Sequence, residues 1–288
     1  MKSRRLLIAI LGMWLVVPAQ AGQTTTVDTR SVVNDCSDVT FEFEGERAVT
    51  GEDRLELGRR DLALRLGDSR GIPLKVVGFD RSGYEVLLCK GTADAGALHE
   101  IRLVERGGAV SVIGPEDSDR WAGYLLVRAP RDAELDIETR NGPAKVSEIA
   151  GRLRARVNNG PLALTNVRGE IDVEAKNGPV SFSGGSGNAR ISSQNGPLKI
   201  TLEGSSWAGG ELHASSENGP LTLTIPPGYG SGVVVERGEW TPFRCPAELC
   251  GHRATDDRIR ERRFELGSGA PRVYLSSENG PISIRETN

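Results

Sequence analysis

Asn159-Gly160-Pro161-Leu162-Ala163-Leu164 is followed, at an offset of 18, by Asn177-Gly178-Pro179-Val180-Ser181-Phe182, and at the same offset again by Asn195-Gly196-Pro197-Leu198-Lys199-Ile200. The triplet Asn-Gly-Pro occurs six times, starting at Asn141, Asn159, Asn177, Asn195, Asn218 and Asn279. Successive copies are therefore offset by 18, 18, 18, 23 and 61. A fixed period of this length marks a repeat architecture, in which a unit that cannot bury its apolar face alone does so against its neighbours.

Each unit contains two alternating runs. After the proline, apolar residues occupy the first and third positions, as in Leu162 and Leu164, Val180 and Phe182, Leu198 and Ile200, Leu221 and Leu223, and Ile282 and Ile284. A glycine follows in mid-unit (Gly151, Gly169, Gly187, Gly210), and a second run leads to the next asparagine: Leu153, Ala155, Val157; Ile171, Val173, Ala175; Ala189, Ile191, Ser193. Alternation with period two is the signature of a strand with one buried face. Two strands with a corner between them make one coil of a parallel β-solenoid. At the corner, Gly supplies backbone angles other residues resist, Pro suits the first residue of a strand, and stacked asparagines can form an amide ladder. The competing arrangement is a row of Asn-Gly hairpins in an antiparallel sandwich.

The outward residues of the second run favour the stack. Glu134, Asp136 and Glu138 precede Arg152, Arg154 and Arg156 by one repeat, and these precede Glu170, Asp172 and Glu174 by one repeat more. In register, acidic, basic and acidic rows lie side by side, whereas a one-coil slip sets like charges together. The expected class is all-β: a parallel β-solenoid of 18-residue, two-strand coils with irregular N-terminal coils and a long C-terminal insertion. Residues 131–288 hold the regular part, with the insertion at about 226–272. Residues 22–130 form an irregular β part that caps one edge of the stack.

Residues 1–21 read as a secretory signal, with Lys2, Arg4 and Arg5, the apolar run Leu6–Val17, and Ala19-Gln20-Ala21 as the cleavage site. The protein is thus expected to be exported: periplasmic, outer-surface or secreted. No other apolar run is long enough for a transmembrane segment. Removing the signal's three cations takes the net charge from −3 to −6, which argues against nucleic acid as a partner. The four cysteines, Cys36, Cys89, Cys245 and Cys250, are expected to form two disulfides. Of three possible connectivities, Cys36–Cys89 with Cys245–Cys250 is favoured by the short separation of the second pair. A zinc site at Cys245, Cys250 and His252 lacks a fourth ligand at a familiar spacing.

Gly71-Ile72-Pro73-Leu74-Lys75-Val76-Val77-Gly78-Phe79-Asp80, together with the coils from Asn141 onward, resembles the bacterial "putative adhesin" family of β-strand-repeat proteins, whose function is unknown. That family shows an N-G-x-I-x-V-x-G-W-D element followed by turn-glycine coils. This chain has Gly71-Ile72 in place of Asn-Gly and Phe79 in place of Trp, and the likeness covers roughly residues 60–288. It implies an extracytoplasmic surface role and supplies no catalytic residues.

No catalytic or cofactor motif survives inspection. Gly67-Asp68-Ser69-Arg70-Gly71 fits G-x-S-x-G, but a nucleophile elbow requires a helix after the serine and a strand follows here. Gly184-Gly185-Ser186-Gly187-Asn188-Ala189 imitates a calcium nonapeptide with Ala189 in place of its aspartate; Gly185 and Ala189 are instead expected to leave room for Phe182. Metal and cofactor are therefore expected to be absent.

Function is then expected on the outer surface, as a structural or adhesin-like module binding an envelope or surface polymer or protein without catalysis. A carbohydrate-active enzyme on a solenoid scaffold is the alternative, and it would need an acid pair free of arginine in a groove. One outer face, with Ala163, Thr165, Ser181, Ser183, Lys199, Thr201, Thr222 and Thr224, reads as ordinary strand-compatible surface. The two longest units insert loops around Glu203–Gly210 and 226–272, and these are expected to bring Trp207, Trp240 and Phe243 to one corner beside Arg258 and Arg260. Aromatics beside cations suit a glycan or acidic polymer; packed together, they would instead hold the insertion down as a lid.

Overall fold

The computed structural model describes residues 33–58, 61–66, 71–116, 120–253 and 261–287. The expected signal segment, Gly67 to Arg70 of the G-x-S-x-G match, and Arg258 and Arg260 lie outside them. Among the described residues the strands form two sheets of 11 strands and one small hairpin. The two sheets are the two walls of a solenoid. The back wall contains the strands that follow each Asn-Gly-Pro, such as Ala144–Ser147, Leu162–Thr165, Val180–Gly184 and Leu198–Leu202. The front wall contains those that precede the next triplet, such as Glu134–Asn141, Arg152–Asn159, Glu170–Asn177 and Asn188–Asn195. All these pair in parallel with their counterparts one unit away, so the hairpin sandwich is excluded.

Register follows the repeat residue for residue. Leu153, Ile171 and Ala189 stand in one row across the front wall, and Leu162, Val180 and Leu198 in one row across the back. These inward side chains are 0–3% exposed, so the two walls close on a filled interior. Phe182 is accommodated by Gly184, where a Cβ would meet its ring at 2.9 Å; Gly185, the glycine expected to do this, lies against the Glu203 carbonyl.

The Asn-Gly-Pro corner explains its own composition. Asn159 Nδ2 donates to Asn141 Oδ1 at 2.9 Å, and the ladder continues through Asn177, Asn195, Asn218 and Asn279 at 2.9–3.1 Å. A Cβ on Gly160, Gly178 or Gly196 would sit 2.2–2.3 Å from the carbonyl oxygen of the glycine one coil away, and all three have positive φ. Buried serines finish the corner: the hydroxyls of Ser216 and Ser277 donate to the carbonyls of Gly219 and Gly280 at 2.8 and 2.6 Å. That accounts for polar residues at an inward position, since a buried carbonyl without a donor costs more than the hydroxyl does.

Both ends are built out of chain order. The first coil laid down, Asp61–Leu66 with Leu74–Phe79, is not terminal in the stack. Ala109–Ile113 and Trp121–Pro130 pair outside it, and the chain then crosses back to continue at Glu134–Asn141 on its other side. At the far end, Pro271–Ser277 with Ile282–Glu286 lies inside Gly232–Arg237 and Phe243–Arg244, which come earlier in the chain. The insertion therefore contains a coil of its own. Each terminal coil is clamped between two others, so fraying it requires opening pairs on both of its sides.

Antiparallel strands complete the N-terminal cap. Val49–Leu57, Tyr84–Thr92 and Trp121–Pro130 pair in sequence at the edge of the back wall. Under them a second core gathers Val33, Val39, Phe41, Phe43, Leu87 and Leu126 around the Cys36–Cys89 disulfide. Glu85 binds Arg54, Arg81 and Arg128 at 2.8–3.2 Å, and the hydrogen bond from Arg128 holds its carboxyl below the usual range. The outermost strand carries Glu52, Asp53, Arg54 and Glu56, which discourages pairing with another chain. At the other end Cys245 is bonded to Cys250, so the favoured connectivity is the one present and neither thiolate is available to zinc.

Charge rows occupy the exposed side of the front wall. Arg152 lies 3.7 Å from Glu134 and 3.1 Å from Glu170, Arg154 is 3.5 Å from Asp172, and Arg156 is 3.5 Å from Glu174. All are substantially exposed, so each pair contributes at most about 1 kcal/mol after solvent screening. Arg154→Glu places a third acid between Asp136 and Asp172. It should lower stability by about 1 kcal/mol at low salt, and Asp136→Lys with Asp172→Lys should restore most of the loss. Urea unfolding of the three proteins checks this; an unchanged midpoint in Arg154→Glu would show that the rows contribute nothing.

Candidate functional site

The front wall carries an open groove of about 960 Å³ that crosses six adjacent strands, from Asp61 at one end to His213 at the other. It exists because outward side chains on stacked strands stand in columns. The long arginines and acids reach towards each other along the stack, while Ala63 and Asn188 leave lower ground. A smaller depression of about 280 Å³ adjoins it, lined by His213, Tyr274, Glu236 and Arg263. Glu236 and Arg263 face each other there at 3.6 Å.

The groove's acids are mostly committed. Glu134 and Glu170 share Arg152, Asp172 is held by Arg154, Glu174 by Arg156, and Asp136 by Arg65 at 2.8 Å. Glycoside hydrolysis needs one carboxyl free to protonate a leaving group and another free to act as base or nucleophile. Carboxylates bridged by guanidinium groups are arranged for cross-strand support.

One central column runs Asp136, Arg154, Asp172, Arg190, His213, Tyr274 across neighbouring strands. The rings of His213 and Tyr274 stack 4.5 Å apart and 4° from parallel, and His213 Nε2 lies 3.2 Å from Glu211 Oε2. The sequence places Arg190 one regular repeat after Asp172, whereas His213 and Tyr274 beyond it fall outside the 18-residue period. The signal is nevertheless there: Arg190, His213 and Tyr274 are spaced by the same two offsets that separate Asn195, Asn218 and Asn279 of the Asn-Gly-Pro triplets.

The aromatic corner expected from the insertions is not formed as one site. Trp207 lies in the loop between Leu198–Leu202 and Leu212–Ser216, at the mid-unit corner, where its Nε1 donates to the Gly187 carbonyl at 2.9 Å. It is 4% exposed and packs 6.3 Å from Phe182. The two insertions do meet at this corner, through Gly230 N to Ser205 O at 2.7 Å and Trp207 N to Ser231 Oγ at 2.9 Å. Trp240 belongs to the opposite corner, between Gly232–Arg237 and Phe243–Arg244, in the register position that follows Asn279. It is 89% exposed, whereas Phe243 points inward and meets Phe264 edge-on at 4.9 Å. The correction has a simple cause. The long insertion completes a coil of its own, so its residues are spread around the stack and do not gather on one side.

Among the described residues, the one grouping with metal-ligand proximity is Asp35, Cys36 and Glu52, and the Cys36 sulfur is bonded to Cys89. No described helix is long and apolar enough to cross a membrane.

No family model matches this sequence, and no curated protein does. Similar solved structures include a "putative cell adhesion protein" from Clostridium sporogenes, at 10% identity over 83% of this chain and 100% of that one, with TM-score 0.36. A "putative adhesin" from Parabacteroides merdae follows at 9% identity, 83% and 96% coverage and TM-score 0.32. A "putative lipid binding protein" from Parabacteroides distasonis has 9% identity, 82% and 97% coverage and TM-score 0.30.

The positions of the two tryptophans give opposite expectations. Trp207→Ala empties a buried site and removes the donor to Gly187, and should cost about 3–5 kcal/mol. Trp240→Ala should leave stability within about 0.5 kcal/mol, as for other exposed positions. Paired denaturant titrations measure both; a well-tolerated Trp207→Ala would contradict the packing described.

Proposed function

We propose that this chain is an exported, non-catalytic β-solenoid that binds an envelope or surface partner, polymer or protein, through its outer surface. The observation that carries this reading is the filled interior. Inward residues of both walls are buried from Leu135 to Ile284, so a ligand can meet only the outside. Two disulfides fit an oxidising compartment outside the cytoplasm. The groove supplies relief on an otherwise regular surface, and its bridged acids favour binding over hydrolysis. Trp240 is the exposed aromatic proposed to contribute a contact, and Arg258 and Arg260, outside the described residues, are proposed as its cationic partners. Trp207 and Phe243 are buried and support the fold.

The test is sedimentation of the purified protein with cell-wall sacculi and with isolated envelope polysaccharides, while soluble reducing ends are assayed. The expected result is co-sedimentation with at least one fraction, no release of reducing ends, and weaker binding by Trp240→Ala at unchanged stability. Release of reducing ends that disappears in Glu170→Gln would establish the enzyme instead, and failure to bind any fraction would remove the proposal.

A further inference from the structure

Arg190 is a groove cation without an ion pair among the described residues. Of the three arginines lining the groove, Arg152 and Arg154 are in ion pairs at 3.1 and 3.5 Å. Arg190 stands beside Asp172 in register, but Arg154 already holds that carboxylate from the other side. Exposed, Arg190 enters no ion pair or side-chain hydrogen bond among the described residues. An exposed guanidinium has five donors in a planar fork that matches a carboxylate through two parallel hydrogen bonds.

Its neighbours in the column point to the rest of the ligand. One strand on is His213, and on the next is Tyr274, so the cation and the ring stack span two strand spacings, about 10 Å. Stacked rings present apolar edges and polar tips together, which suits the mixed surface of a sugar. Glu211, beside His213, and Asn188, beside Arg190, add an acceptor and an amide for hydroxyl groups. The groove continues from here across five strand spacings, about 24 Å, open to solvent along its length, which fits an extended chain.

Two features narrow the occupant. A peptide bound by strand addition needs an unpaired sheet edge, whereas this groove lies on a face whose backbone is already paired on both sides. Carboxylates line the groove along its length, from the register neighbours Asp61 and Glu134 at the far end to Asp172 and Glu211 near Arg190, so a polymer charged on every sugar is repelled and a lone carboxylate is accepted only at Arg190. We propose that Arg190, His213 and Tyr274 form a subsite for one carboxylated sugar of an extended polysaccharide whose other sugars are uncharged. This rests on the outer-surface binding reading and specifies the polymer class and the position.

Affinity electrophoresis of the intact protein through gels containing glucuronoxylan, whose carboxylated sugars are spaced along an uncharged chain, dextran or polyphosphate tests it. Wild type should be retarded by glucuronoxylan and bind it at least about tenfold more tightly than the uncharged dextran or the sugarless polyphosphate. Arg190→Gln and Tyr274→Ala should each lose about tenfold, with Arg190→Lys intermediate because it keeps the charge without the fork. Melting curves accompany every variant, and Arg190, being exposed, provides the one whose folding is not at stake. Retardation of Arg190→Gln equal to wild type overturns the subsite, as does equal affinity for polyphosphate. Binding to an uncharged envelope polymer but not to glucuronoxylan overturns the subsite and leaves outer-surface binding standing. No binding to any envelope fraction overturns both.

Discussion

Backbone meets backbone at the Asn-Gly-Pro corner, and the rest of the structure depends on that contact. Each glycine there lies so close to the carbonyl one coil away that a single methyl group would not fit. Proline then starts the back strand at a position that needs no donor, and the asparagine side chain bonds to its counterpart in the neighbouring coil. One short triplet therefore sets where a coil turns and how closely coils approach. It also sets which residue stands above which, and with register fixed every other column follows. Apolar residues stack on apolar residues inside, and acids and arginines alternate outside. The exposed ion pairs are individually weak, and their larger effect is to penalise displacement by one coil.

A stack of this kind has two vulnerable ends, because each terminal strand exposes unpaired backbone. The chain deals with both by the same manoeuvre. At each end it places a coil out of sequence, so that the first and last coils of the chain are both internal to the stack. Beyond them the N-terminal cap adds antiparallel strands, a second small core and a disulfide. The C-terminal cap adds the Arg263–Leu266 strand and the Cys245–Cys250 link. Function is left to surfaces that the stacking does not consume, and the front groove is where columns of side chains create relief.

Much of this was readable in the residues because periodicity is a statement about neighbours. The regular spacing of the triplets gave the coil, the inward positions, the asparagine ladder and the opposed charge rows, and the short Cys245–Cys250 separation pointed to the bond that forms. The order of the end coils was not readable, since nothing in Asp61–Leu66 distinguishes a terminal coil from one with neighbours on both sides. Placing Trp207 and Trp240 together failed for the same reason: an insertion was treated as a loop when it contains a complete turn of the solenoid. Arg190 is legible as the residue one repeat after Asp172, whereas the stacking of His213 and Tyr274 beyond it rests on the irregular intervals, which the triplet itself supplies. Why Arg190 lacks a carboxylate is a matter of side-chain competition for Asp172, which no spacing reveals.

Register depends on steric closeness at the corner, and one comparison isolates it. Gly178 and Gly204 both have positive φ, at 129° and 74°, so alanine is strained at either position. Only Gly178 has backbone against it, at 2.3 Å from the Gly160 carbonyl, whereas Gly204 has nothing within 4 Å. Equilibrium urea unfolding of Gly178→Ala and Gly204→Ala should therefore show Gly178→Ala less stable by at least about 2 kcal/mol. Equal stabilities would mean that the coils do not approach as described, and the register built on that approach would be wrong.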